Sequence, residues 1–276
     1  MSNATSDVGE VSLPGISVVA GVVLKGADNA KDYVYTLADS PAELAAQDVD
    51  TVAVVGLANS VTVLGDATVD QLSAIDANTS QALIYESIAD TVSNLVADAS
   101  TNSGEGTYVP GKIVRPSGTS TTSEIIQISD AVGTSGEIDG SAITDINGTA
   151  ADVKTAFDAL ATGPDAFNVD LSGVATAAEI TTVDGLTNIG DLDGSAITDI
   201  NGTAADVQTA HAALDTKPTD FDAGVSGVVT LTDVNAVAAL TNITNIDGSA
   251  ITDINGTAAD VKTAFDALAT GPDAFN

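Results

Sequence analysis

Apolar residues along this chain fall into two alternating patterns, short Val/Ile/Leu-rich stretches and longer segments with apolar residues spaced by three and four. In the clearest of the longer segments, Val153, Ala156, Phe157 and Leu160 lie at offsets of three, four and seven, which predicts one buried helical stripe. Each such segment opens on a Ser or Thr, and these residues predict helix N-caps at Ser40, Thr68, Thr91, Thr121, Thr149, Thr176, Thr203, Thr230 and Thr257. The hydroxyl takes up a backbone N–H that the first helical turn leaves without a partner. An acidic residue or Gln three positions on completes a capping box, except after Thr91, where Asn94 stands. Pro41, directly after Ser40, suits the first helical position. Each helix is expected to be short, and in the clearest case Gly163-Pro164 stops it.

Between the caps lie β-prone stretches at Val52–Val55, Val61–Leu64, Leu83–Tyr85, Ile113–Val114, Val169–Leu171 and Val228–Leu231, set apart by Gly, Asn and Asp. Strand followed by short helix, repeated, predicts an α/β protein with strands stacked in parallel about 4.8 Å apart. The repetition is literal. DGSAITDINGTAADVKTAFDALATGPDAFN at 139–168 returns letter for letter at 247–276 and in altered form at 193–222. Those starts are 54 residues apart, and the last five caps are 27 apart. A fixed period of this size predicts a repeat solenoid of about nine coils. An all-β solenoid is the alternative. Three regions follow: 1–34, a polar tail and a Val-rich capping or assembly strand; 35–128, irregular coils with an inserted loop at 102–120; and 129–276, the regular repeats.

The Val-rich start places Val18, Val19, Val22, Val23 and Leu24 as candidate assembly residues. At the other end an intact copy of the repeat runs to Asn276 with no polar closing segment after it. An open coil exposes apolar surface and sheet edge. A head-to-tail contact between such ends need not close, and so can propagate.

Composition narrows the partners. Seven Lys and Arg stand against 39 acidic residues, a formal charge of −32, which repels phosphate backbones and excludes nucleic acid. The start MSNATSDVGE is acidic where a secretory signal is basic, and the run Val18–Leu24 is too short for a membrane span. With no Cys, neither a disulfide framework nor a thiolate metal site is possible.

Candidate chemistry is sparse. The one histidine, His211, replaces Phe157 and Phe265 of the sister repeats and reads as a core ring. Without a Cys nucleophile or a second His, nothing points to an enzyme. Asp139, Asp193 and Asp247, with Asp145, Asp199, Asp253 and Asp191, recur in every other coil and could offer oxygens to Ca²⁺, the one cofactor this pattern admits. Turn-forming Asp and Asn is the plainer account of them. N-G-T at Asn147, Asn201 and Asn255 has the form of a glycosylation acceptor, and reads more simply as an Asn-Gly turn leading to the Thr cap.

The segments GTAADVKTAF, TLADSPAELAAQ and ESIADTVSNLVADA resemble repeats of giant secreted cell-surface proteins of bacteria, notably marine cyanobacteria, adhesin-like products of type I secretion. The resemblance covers most of 35–276 and implies an extracellular or cell-surface location. Together these readings lead to a structural protein whose partner is itself, joined head to tail in a filament, surface layer or fibre. The alternative is an adhesin stalk or phage tail-fibre module that recognises a cell-surface glycan through its irregular loops.

Overall fold

The computed structural model describes residues 11–26, 33–104 and 106–272. The polar tail expected over the first ten residues lies outside them. In chain order the elements are β1 (Val11–Ile16), α1 (Val18–Gly26), β2 (Tyr33–Asp39), α2 (Pro41–Leu44), α3 (Val49–Leu57), β3 (Ser60–Val63), α4 (Val69–Asp76), β4 (Leu83–Ile84), β5 (Ser87–Thr91), α5 (Val92–Ala99) and β6 (Ile113–Thr121). There follow α6 (Thr122–Val132), β7 (Glu137–Ile138), β8 (Ile143–Gly148), α7 (Ala150–Asp158), β9 (Phe167–Thr176), α8 (Ala177–Asp184), β10 (Ile189–Thr203), α9 (Ala204–Ala213), β11 (Phe221–Thr230), α10 (Leu231–Ala238), β12 (Ile243–Asp247), β13 (Ile251–Asn255) and α11 (Ala258–Asp266). Strand and helix alternate, and the sheets are parallel: the chain is α/β. True helices set the all-β alternative aside.

Two compact units are formed, 1–115 with 131–137, and 116–130 with 138–276. In the first, a parallel sheet runs in the order β1-β2-β3-β4, and Leu37, Leu44, Val54, Val55, Leu72 and Leu95 are buried completely. In the second, β6, β8, β9, β10, β11 and β12 pair in that order, and β13 pairs with β11. Its core is a row of branched side chains, among them Ile146, Val153, Val169, Ile180, Ile200, Val207, Val225 and Val234. Single strand residues such as Ile146 and Val169 sit directly opposite one another in register, so each layer supplies one apolar side chain to the next.

Helix starts are fixed by local hydrogen bonds. Ser40 Oγ accepts from Glu43 N–H, and Thr68, Thr91 and Thr121 accept from Gln71, Asn94 and Glu124. Thr149, Thr176, Thr203, Thr230 and Thr257 accept from Asp152, Glu179, Asp206, Asp233 and Asp260. The carboxylates return the bond at Thr176, Thr230 and Thr257, which completes reciprocal capping boxes.

Four readings of the sequence are corrected. The Val-rich run from Val18 to Leu24 is helix, not strand: Ser17 Oγ accepts from Ala20 N–H, and Asp39 on the neighbouring strand accepts from Val18 N–H. Gly21 then lets α1 lie close against α3, where a Cβ would meet Val54 at 2.5 Å. Val52–Val55 also lies on a helix, α3, because Asp48 accepts from the N–H groups of Asp50 and Thr51 while Thr51, Val54 and Val55 share the buried face. The inserted loop expected to run to Ser120 ends earlier, since β6 takes over from Ile113. Finally, Asn147-Gly148 and Asn201-Gly202 are the ends of strands, not turns. Gly148 is there for space: a Cβ would lie 2.5 Å from Thr122 Cγ2 of the preceding layer.

Candidate functional site

The strand register brings part of the predicted aspartate set onto one sheet face. Residues two apart in a strand share a face. Asp145 pairs with Asn168, and Asn147 with Asp170, across β8 and β9. Asp170 then pairs with Asp193 across β9 and β10. Three carboxylates, Asp145, Asp170 and Asp193, therefore gather on three adjacent strands. Partial burial raises the Asp170 carboxyl above the ordinary carboxylate range, and the charges of Asp193 and Asp145 raise it further. Asn168 Nδ2 lies 3.5 Å from Asp145 Oδ1, and Asn168 Oδ1 accepts from Asp191 N–H at 3.0 Å. Thr119 Oγ1 donates to Asp145 at 3.1 Å. Next to this row, Asn147 Oδ1 is buried with no hydrogen-bond partner.

The remaining predicted ligands are placed differently. Asp139, Asp193 and Asp247 each accept from a backbone N–H two residues on, that of Ser141, Ser195 and Ser249. These are Asx turns, and they account for the D-G-S repeat locally. Asp199 pairs in register with Asp222, whose Oδ1 accepts from Asn245 Nδ2 at 2.9 Å. Asp253 pairs with Val228 near the outer strand β13. Among the described residues no three His, Asp or Glu side chains form a group that could hold a metal ion. Periodicity did not single out Asp170, because its repeat partner 54 residues on is Gly224.

The assembly candidates split. Val18 is buried at 3% exposure and belongs to the core, whereas Val19 and Val23 project at 66% and 70%. Val22 and Leu24 are half-buried. The far helix, α11, is exposed too. It has the same sequence as α7, with a different environment. In α7, Ala150 and Val153 are buried, and Phe157 stacks on Phe167 of β9 with ring centroids 5.7 Å apart. In α11, Ala258, the copy of Ala150, is exposed, and it borders an open recess of about 470 Å³ with Gly256, Val261, Lys262 and Phe265.

A third feature is a cleft of about 350 Å³ in the first unit, lined by Tyr85, Glu86, Lys112, Ser135 and Glu137 among others. Lys112 Nζ sits 4.2 Å from the centre of the Tyr85 ring and donates to Tyr85 O. Tyr85 Oη in turn donates to Tyr108 O, and its phenol is pushed up to about 12, first by burial and then by nearby Asp98. The loop below is held by Asp98, 4% exposed, whose Oδ2 accepts from the N–H groups of Thr107, Tyr108 and Val109.

His211 is buried at 6% exposure and stacks on Phe221. Its Nε2 lies 3.3 Å from Thr241 O. Among the described residues no helix is long and apolar enough to cross a membrane. No family model, curated protein or solved structure matches the chain.

Proposed function

We propose that this chain is part of an α/β solenoid of about nine coils and works as a structural protein, joining copies of itself head to tail in an extracellular filament, surface layer or fibre. One observation carries the reading. The same thirty residues occur twice, and Ala150 and Val153, buried in the first copy, correspond in the second to the exposed Ala258 and the half-buried Val261. A surface built to be covered in one place has the chemistry to be covered in the other. The acidic balance of the chain keeps such a repeat soluble until its ends meet. Calcium dependence of assembly belongs to this reading as an expectation from the recurring aspartates, with no group of three carboxylates among the described residues placed to hold the ion. The proposal is tested by electron microscopy and sedimentation velocity across a concentration series, with calcium and then with chelator. Filaments or a ladder of oligomers support it. A protein that stays monomeric at high concentration in both conditions removes it.

The cleft at Tyr85 and Lys112 favours a second reading, a stalk that binds a cell-surface glycan. The Tyr85 ring with the Lys112 ammonium over it, in a cleft also lined by Glu86 and Glu137, can offer both apolar contact and hydrogen bonds to a sugar. Glycan-array binding that disappears in Lys112→Ala would place this reading ahead of the first.

A further inference from the structure

Helix α3 carries an apolar stripe on the side turned away from its core. Thr51, Val54 and Val55 form its buried face. Val49, Ala53 and Leu57 follow one another at spacings of four, which sets them in one line along the opposite side. Val49 is 79% exposed, Leu57 is 65% exposed and Ala53 is half-buried. Among the described residues, helices α4 to α10 show no exposed large apolar side chain. Their outer positions hold residues such as Asp70, Ser73, Thr155, Thr182 and Thr209.

The flanks of α3 are already taken. Helix α1 packs against it at Gly21 and Val54. Gly56 points about 200° away from Val54, and there a Cβ would lie 3.0 Å from Asn78 O, in the segment after α4. The stripe faces outward between these two neighbours.

We propose that this stripe pairs with the same stripe of a second copy, the two α3 helices crossing antiparallel about Ala53. The spacing is symmetric about that residue. Val49 of one copy then meets Leu57 of the other and Leu57 meets Val49, large against large, with Ala53 on Ala53 at the crossing. A two-fold contact of this kind uses one surface twice. Charge selects the same occupant. With 39 acidic residues against seven basic ones, the chain turns away anionic partners, lipid headgroups among them. A basic partner is drawn to the carboxylates and not to a line that has none. Charge also sets the direction. Asp50 stands beside the line, and a parallel pair would put the two Asp50 side chains next to each other. The antiparallel pair separates them by six residues, about 9 Å along the axis, which is about one screening length in physiological salt. A nine-residue helix is about 13 Å long, so the contact is smaller than the roughly 1,200 Å² of a stable interface, and the association is weak. It is lateral, and it stands apart from the head-to-tail reading.

Cysteine is absent from the chain, so disulfide trapping reads a weak pairing directly. Val49→Cys and Leu57→Cys proteins are mixed at high concentration under mild oxidation, and each is also oxidised alone. Val174→Cys, 60% exposed on β9, mixed with Leu57→Cys is the control. The expected result is a mixed Val49–Leu57 dimer several-fold more abundant than the dimer from either protein alone or from the control. Adding Ala53→Asp to both cysteine proteins, with the fold checked by circular dichroism, should bring the mixed dimer down to the control level. If Val49→Cys links to itself as readily as to Leu57→Cys, the antiparallel pairing is overturned. If no combination exceeds the Val174 control, or the mixed dimer survives Ala53→Asp in a folded protein, a second copy is not what covers the stripe.

Discussion

His211 stacks on Phe221 with ring centroids 5.5 Å apart, repeating one sequence repeat later the stack of Phe157 on Phe167. The imidazole thus fills a slot shaped for a phenyl ring. Burial lowers its pKa, a backbone bond to Thr241 O works the other way, and Lys217 adds to the lowering. The unfolded chain takes up a proton near pH 6.5, while the folded chain resists it to lower pH. Stability is therefore present above that range and falls as the pH drops through it. His211→Phe should abolish this dependence, raising Tm more at pH 5.5 than at pH 7.5. Equal Tm changes at the two pH values would show that the ring does not titrate on unfolding.

Gly148 and Thr122 provide a test of layer spacing. An added Cβ at Gly148 meets both the Cγ2 and the Oγ1 of Thr122, at 2.5 and 2.7 Å. Overpacking of this kind costs about 1–3 kcal/mol, so Gly148→Ala should lower stability by that order in urea melts. Thr122→Ser removes one of the two clashing atoms. The double variant should recover part of the loss, and strict additivity of the two changes would show that the clash is not its source.

Asp98 is buried and accepts three backbone N–H groups, which fold the 107–109 segment over the end of α5. Asp98→Ala leaves those donors without their acceptor, at a cost on the order of 3 kcal/mol. Amide exchange at Thr107, Tyr108 and Val109 should speed up first. Asp98→Asn keeps one oxygen and should fall between the two proteins.

Asp170 is raised by burial first, then by Asp193 and Asp145. A carboxyl whose folded pKa lies above its unfolded value stabilises at low pH, and loses that stability as the pH rises past the unfolded pKa toward the folded one. Asp170→Asn should therefore raise Tm at pH 7 and leave it nearly unchanged near pH 3. Added salt should shrink the difference.

Much of the fold could be read from the chain, because its strongest signals are local. A Thr with Asp or Glu three residues later closes hydrogen bonds within one turn, so Thr176 and Thr230 mark the starts of α8 and α10 without help from any other part of the molecule. The parallel strands follow from strand–helix alternation at a fixed period. The Val-rich segment was misleading because its composition suits a strand, whereas its first turn is held by Asp39, far along the chain, and its close packing by Gly21 on Val54.

Placement between layers was not legible. Asp170 breaks the repeat, so only the pairing of β8, β9 and β10 puts it between Asp145 and Asp193. The two identical thirty-residue copies show the division plainly. Both form the same helix with the same cap, at Thr149 and at Thr257, because caps and helical hydrogen bonds close within the segment. Ala150 and Val153 are buried while their copies Ala258 and Val261 are exposed and half-buried, because burial depends on the neighbouring layer and a sequence of thirty residues carries no information about what lies against it.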